Sequence, residues 1–230
     1  MRASSVGEAV GLDDLARTDH PYLGASDQCW CLARYVAGPG YRAGRVNQLI
    51  TNLKCAPSVA AAEPLRRSHK DRAIELAAKA VRRAIKREWA ESVTWIPIPP
   101  SRVPGHVDFD DRLMRILRHA FNAYQVDIRN VLYQVRTQSA DHVSNERLSM
   151  HHLYESIQVN CAALAGRPLR SHVVLFDDVL TTGKHYKCCE RRLLEAVPGV
   201  SVCGLFLARR VLSARGRRLP DQPGQGRLDR

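Results

Sequence analysis

Between Val173 and His185 the chain reads Val-Val-Leu-Phe-Asp-Asp-Val-Leu-Thr-Thr-Gly-Lys-His, and these residue types in this order suit an anion and a sugar. Four apolar residues rich in Val predict a buried strand. Two carboxylates stand at its end, and a small, hydroxyl-bearing Thr-Thr-Gly turn then opens an amphipathic helix. Backbone N–H groups of such a turn, with a helix N-terminus behind them, favour a phosphate group. Asp177 and Asp178 are placed to accept from ribose hydroxyls or to ligate a hard cation such as Mg²⁺. Thr181, Thr182, Gly183 and Lys184 are the candidate phosphate contacts. His185 joins them, because an imidazole N–H donates to phosphate, and more strongly when protonated. The plain alternative is the strand-turn-helix of an ordinary α/β domain, with the acids as solvated caps.

Three further stretches carry polar groups worth placing. Val93 to Ile98 reads as a strand running into Pro99-Pro100-Ser101-Arg102; Pro97 has no N–H for a sheet ladder, so the strand should lie at an edge or be near its end. The Pro99-Pro100 bond is a candidate cis peptide that would turn the following amides toward a ligand, with a plain surface turn as the alternative. Arg112 follows Asp108, Asp110 and Asp111, acids that suit the dipole of a helix starting there. The polar run from Arg136 to Arg147 is either a functional loop or an inert surface one. Cys29, Cys31 and Cys55 raise the question of zinc, but their spacing is poor and buried thiols are the simpler reading.

The elements that must position these groups alternate along the chain. Strands are expected near 93–98, 126–135, 172–177 and 201–207, and helices near 68–90, 111–124 and 184–196. That order argues for an α/β fold, a parallel sheet with helices on both faces and its ligand outside the C-terminal strand ends. In the helix after the fingerprint, Tyr186, Cys189, Leu193 and Leu194 should face the sheet, leaving one of the adjacent thiols Cys188 and Cys189 in the core and the other at the surface. Residues 1–26 read as a poorly ordered arm, 27–66 as a small lid with a linker near 56–64, 67–211 as the α/β core, and 212–230 as a disordered basic tail.

Composition narrows the setting. With 230 residues, 45% of them hydrophobic and 25% charged, the chain can bury one substantial core. No apolar run approaches the roughly 20 residues that span a bilayer, so no membrane role is expected. Seven cysteines, an odd number, do not suggest a disulfide framework and point to a reducing cytoplasm. A net charge of +12 suits anionic partners.

The fingerprint at 173–185 resembles the phosphoribosyl-pyrophosphate (PRPP) motif of the type I phosphoribosyltransferases, in which the paired acids meet the ribose hydroxyls and the Thr-rich turn takes the 5′-phosphate. The family usually has a second Thr or Ser two residues after the Gly, where this chain has His185. Ile96-Pro97-Ile98-Pro99 resembles the Val-Pro-Val-Pro strand of the ComF-type competence group, and Tyr41-Arg42-Ala43-Gly44 and Leu49-Ile50-Thr51-Asn52-Leu53-Lys54 resemble its lid. The group often carries a four-Cys ribbon ahead of that lid, which this chain lacks. The resemblance to the phosphoribosyltransferase core covers roughly residues 90 to 210 and implies a Mg²⁺-dependent pentosyltransferase. Pro100, Ser101 and Arg102 would contact pyrophosphate, Arg112 would be the basic residue after that loop, and Arg147 would belong to a mobile catalytic loop.

A reading of a different class keeps the fold without catalysis, as a module that binds nucleic acid or a partner protein in a regulatory or defence complex. His185, the charge of +12 and the basic tail motivate it. Its contacts would be the helix at 68–90 and the tail at 212–230, and association with further copies of the chain is compatible with either reading.

Overall fold

Val173 and Leu175 of the fingerprint strand pack into one apolar cluster, and Val174 and Phe176 into another. A strand buried on both faces needs apolar residues at every position, which is why its sequence runs without alternation. The computed structural model describes residues 9–136 and 150–212. In chain order they form β1 (Val10–Gly11), α1 (Asp14–Arg17), β2 (Cys29–Cys31), β3 (Arg34–Ala37), α2 (Arg45–Leu53), α3 (Pro57–Ala62), α4 (Pro64–Ala84), α5 (Arg87–Ser92) and β4 (Thr94–Pro97). There follow α6 (Arg112–Ala120), β5 (Asp127–Ile128), β6 (Leu132–Gln134), α7 (Met150–Ser156), β7 (Ile157–Val159), β8 (His172–Leu180), α8 (Lys184–Ala196) and β9 (Ser201–Leu212).

Seven strands make one sheet, in the order β1-β2-β9-β8-β4-β5 with β3 also on β9. Every pairing is parallel except β1 with β2. Helices α2, α4 and α6 contribute to the cluster on one face, and α7 and α8 to that on the other. This is an α/β fold with a mostly parallel mixed sheet. From β4 the chain moves outward through α6 to β5, whereas from β8 it moves the opposite way through α8 to β9. The neighbours β4 and β8 therefore flank the point where the winding reverses, and a crevice opens beyond their C-terminal ends.

Several expectations need correction. Residues 9–26 are not a loose arm: β1 joins the sheet, Asp13 caps α1, and His20 is fully buried. The strands of the expected lid, β2 and β3, pair with β9 inside the main sheet, and the expected linker near 56–64 is mostly helix, started by Pro57 in the first turn of α3. β9 continues to Leu212 because β3 offers it a partner along Arg209–Leu212. The helix expected over 68–90 breaks at Ile85, whose backbone is extended. The break lets α5 present the Ala90 carbonyl to Trp95 Nε1 at 3.0 Å. The strand expected over 126–135 divides between the main sheet and a separate β6–β7 hairpin pairing.

On α8, Leu194 faces outward rather than toward the sheet, and both Cys188 and Cys189 are buried. The Pro99-Pro100 bond is trans, the isomer that X-Pro bonds ordinarily prefer. Pro97 is the last residue of β4 and lies beyond the two β5 pairings, so its missing N–H costs no ladder bond there. Among the described residues no helix is long and apolar enough to cross a membrane, and all seven cysteines are free. The tail from residue 213 onward lies outside the described residues, as does Arg147 with most of its loop.

Candidate active site

A cavity of about 670 Å³ occupies the crevice beyond β4 and β8. Asp177, Asp178, Thr181 and His185 line one side, and Pro99, Pro100, Ser101 and Arg102 line another. Residues 80 positions apart thus meet because β4 and β8 are hydrogen-bonded neighbours in register, with Pro97 opposite Phe176. β8 runs on through the acids to Leu180, so the carboxylates stand within the strand's last residues rather than after it.

Asp178 is buried and held from two directions. Arg112 donates through Nε and Nη2 to its Oδ2 at 2.9 and 2.6 Å, and Lys54 Nζ lies 3.1 Å from Oδ1. Burial opposes ionisation of this carboxyl, but the two cations outweigh it and hold it below the usual carboxylate range. Asp177 goes the other way: burial, then the negative charge of Asp178, push its carboxyl up, although the Asp178 N–H donates to its Oδ1 at 2.7 Å. One acid is thus a fixed anion and its neighbour is the proton-sharing member of the pair.

Behind Arg112 the charges continue inward. Arg112 Nη1 donates to Asp110 Oδ2 at 2.8 Å, and the buried Lys70 reaches the same oxygen at 2.7 Å. Lys70 also donates to the carbonyls of Leu53 and Cys55, at 2.9 and 2.7 Å, on either side of Lys54. One chain of contacts therefore fixes the base of α6 and the end of α2 against Asp178. Arg112, expected as the basic residue after the pyrophosphate loop and a substrate contact, has its guanidinium committed to these acids. Lys70, on the helix expected at 68–90, is buried, and Asp110 accepts from the Arg112 N–H at 3.1 Å as well as from the two cations.

The Thr181-Thr182-Gly183 turn leads directly into α8, whose first N–H groups have no partners within the helix. Gly183 has φ +84°, and an added Cβ would lie 2.8 Å from Leu23 Cδ2 and Cγ. Glycine is required there for backbone conformation and for space together. Lys184 places its Nζ over the Tyr22 ring, 5.4 Å from the centroid. His185 lines the cavity with Nε2 buried and, among the described residues, without a hydrogen-bond partner. Burial lowers its pKa to about 4, so the imidazole is neutral at pH 7, and the N–H it can offer a phosphate is that of the neutral ring rather than the stronger protonated one.

No protein-family model matches the chain, and no curated protein matches it.

Among the described residues no group of three or more His, Cys, Asp or Glu side chains could hold a metal ion. Cys29 and Cys31 are buried in β2, where burial pushes the Cys31 thiol up to about 12. For Mg²⁺ the oxygens of Asp178 are already engaged by cations. The donor set fits only an ion that arrives with a polyphosphate and takes at most one or two carboxylates from the protein.

Sequence reasoning missed Lys54, Lys70, Asp110 and His20 as parts of the site, and also Gln134. Gln134 lines the cavity while buried, and among the described residues neither of its amide atoms has a hydrogen-bond partner. A Lys buried on an otherwise basic helix carries no local signal, since its partners lie 15, 17 and 40 residues away.

Proposed function

We propose that the protein is a type I phosphoribosyltransferase-like pentosyltransferase that takes Mg²⁺-complexed PRPP and releases pyrophosphate. The observation that carries this reading is the meeting of Asp177, Asp178, Thr181 at the start of the Thr-Thr-Gly turn, and the Pro100–Arg102 turn around one cavity where the sheet's winding reverses. The turn before α8 would hold the 5′-phosphate through backbone N–H groups. Asp177 and Asp178 would accept from the ribose hydroxyls, with Asp178 kept ionised by Arg112 and Lys54. Pyrophosphate would lie toward Ser101 and Arg102. The bound ion would neutralise charge developing on the leaving group.

In this reaction the C1–O bond to pyrophosphate breaks and C1 bonds to a nucleophilic atom of the acceptor. The carboxylates at the ribose would stabilise positive charge developing on the sugar, and most of the acceleration would come from position and fixed charge. Lys184 and His185 flank the phosphate turn, His185 as a neutral group. Arg112 acts by orienting Asp178.

A second reading, a non-catalytic module that binds nucleic acid or a partner protein, draws on one observation. Arg66, Arg67, Arg72, Lys79, Arg82 and Arg83 of α4 are exposed. A release assay separates the two readings. With PRPP, Mg²⁺ and a panel of nucleobases, ammonia and nucleic acid as acceptors, acceptor-dependent pyrophosphate release that Asp177→Asn abolishes is the expected result. Nucleic-acid binding that weakens steeply with salt, with no release from any acceptor, would favour the module.

A further inference from the structure

The segment between α1 and β2 crosses directly behind the phosphate turn. His20 is fully buried there, and its Nδ1 meets the Thr181 carbonyl oxygen in a short contact. A carbonyl oxygen only accepts, so Nδ1 carries the hydrogen and donates. Two residues on, the Tyr22 N–H donates to the Thr182 carbonyl at 3.0 Å. The segment therefore holds two consecutive carbonyls of the turn.

In a trans peptide the C=O and the following N–H point in opposite directions. Holding the carbonyls of Thr181 and Thr182 toward the segment turns the N–H groups of Thr182 and Gly183 away from it. Thr181 and His185 line the cavity, whereas His20, Tyr22 and Leu23 do not. Successive N–H groups facing one way make an anion-binding concavity. The segment is itself fastened at both ends: Arg17 donates to the carbonyls of Gly24 and Asp27, each at 2.8 Å, Asp27 pairs with Lys187 of α8 at 2.6 Å, and Asp19 lies 3.6 Å from Arg209 of β9.

We infer that His20, with Tyr22 as its second point of attachment, is a positioning residue that sets the Thr181–Gly183 backbone in its phosphate-accepting conformation. The inference rests on the PRPP reading for the identity of the phosphate, but its structural part stands apart from it. His20 touches no substrate. Its effect is on the direction of two N–H groups.

The test compares wild type with His20→Leu, which fills the space without a donor, and His20→Asn, whose amide can donate. Calorimetry with Mg²⁺-PRPP and with Mg²⁺-pyrophosphate is joined to ¹⁵N relaxation at Thr182 and Gly183. Losing one buried hydrogen bond should weaken PRPP by roughly tenfold in His20→Leu, leave pyrophosphate unchanged, and be largely recovered in His20→Asn. Order parameters at Thr182 and Gly183 should fall from about 0.85 toward 0.6 in His20→Leu only.

Unchanged PRPP affinity in His20→Leu, or equal weakening of both ligands, overturns the inference. If wild type binds no PRPP, the functional reading fails by itself and the order parameters decide: unchanged values in His20→Leu would then overturn the positioning role. Should His20→Leu not fold, Tyr22→Pro removes the other donor at an exposed position, with the same outcomes expected.

Discussion

The two sides of the cavity are built by different means. Around Asp178 the structure is a chain of side-chain ion pairs, Lys54 and Arg112 on one acid and Arg112 and Lys70 on the next, drawn from four separate parts of the sequence. Around Thr181–Gly183 it is backbone: two carbonyls held from behind, one glycine at positive φ, and a helix start. Buried charges depend on complete pairing, because removing one partner strands the other in a poor solvent. A backbone site depends on conformation, and tolerates changes of charge so long as the turn keeps its shape. The cavity thus combines a side sensitive to charge with a side sensitive to geometry.

The largest expected effect strikes the charged side. Arg112→Met should destabilise the fold by about 3–5 kcal/mol, read as a lower urea midpoint, because Asp178 and Asp110 lose their shared cation. Adding Asp178→Asn to Arg112→Met should recover part of that loss. Next comes the backbone side, where Gly183→Ala should cost about 1–3 kcal/mol through its positive φ and the Leu23 clash, and should weaken Mg²⁺-PRPP without altering the Asp178 ion pairs. If Gly183→Ala were neutral, geometry would not be what that side depends on.

A third effect separates the sides by pH. His185 has its pKa lowered to about 4 in the fold, from 6.5 in its absence, so between those values the unfolded chain binds the extra proton. The His185 contribution should therefore weaken as pH drops from 6.5 toward 4, by roughly 3 kcal/mol, against an opposing gain from the raised Asp177 carboxyl over the same range, and His185→Gln should remove the His185 part of the slope. The Asp178 contribution has the same sign but is lost lower, as pH falls below the usual carboxylate range, and should persist in His185→Gln. The smallest effect belongs to Lys54. Its side chain is 46% exposed, so Lys54→Met should cost at most about 1 kcal/mol and less at high salt.

The same division explains what could be read from the sequence. The strand, the paired acids and the Thr-Thr-Gly turn are local, and of these the acids and Thr181 line the cavity together with the proline turn after β4, whereas Thr182, Gly183 and Lys184 do not. The alternation of strands and helices was likewise legible enough to give the α/β class. The ion-pair chain was not, because Arg112 and Asp178 are 66 residues apart and Asp110 looked like an ordinary helix-dipole acid. Nor was the role of residues 9–26: His20 and Leu23 sit in a stretch of weak periodicity, and only their position behind Gly183 gives them meaning. The surroundings of Lys70 and His185 were not legible for one reason, since burial changes what a polar side chain can do and local composition does not report burial.

The central claim is that this cavity takes PRPP between its two sides, and the most direct measurement is calorimetric titration of Mg²⁺-PRPP into wild type and Asp177→Asn. Asp177 is the better probe of the pair, because changing Asp178 would also strand Arg112. The account expects saturable one-to-one binding by wild type, lost or weakened by at least about tenfold in Asp177→Asn while the unfolding midpoint stays near wild type. No binding by wild type, or equal affinity in the two proteins, would contradict it.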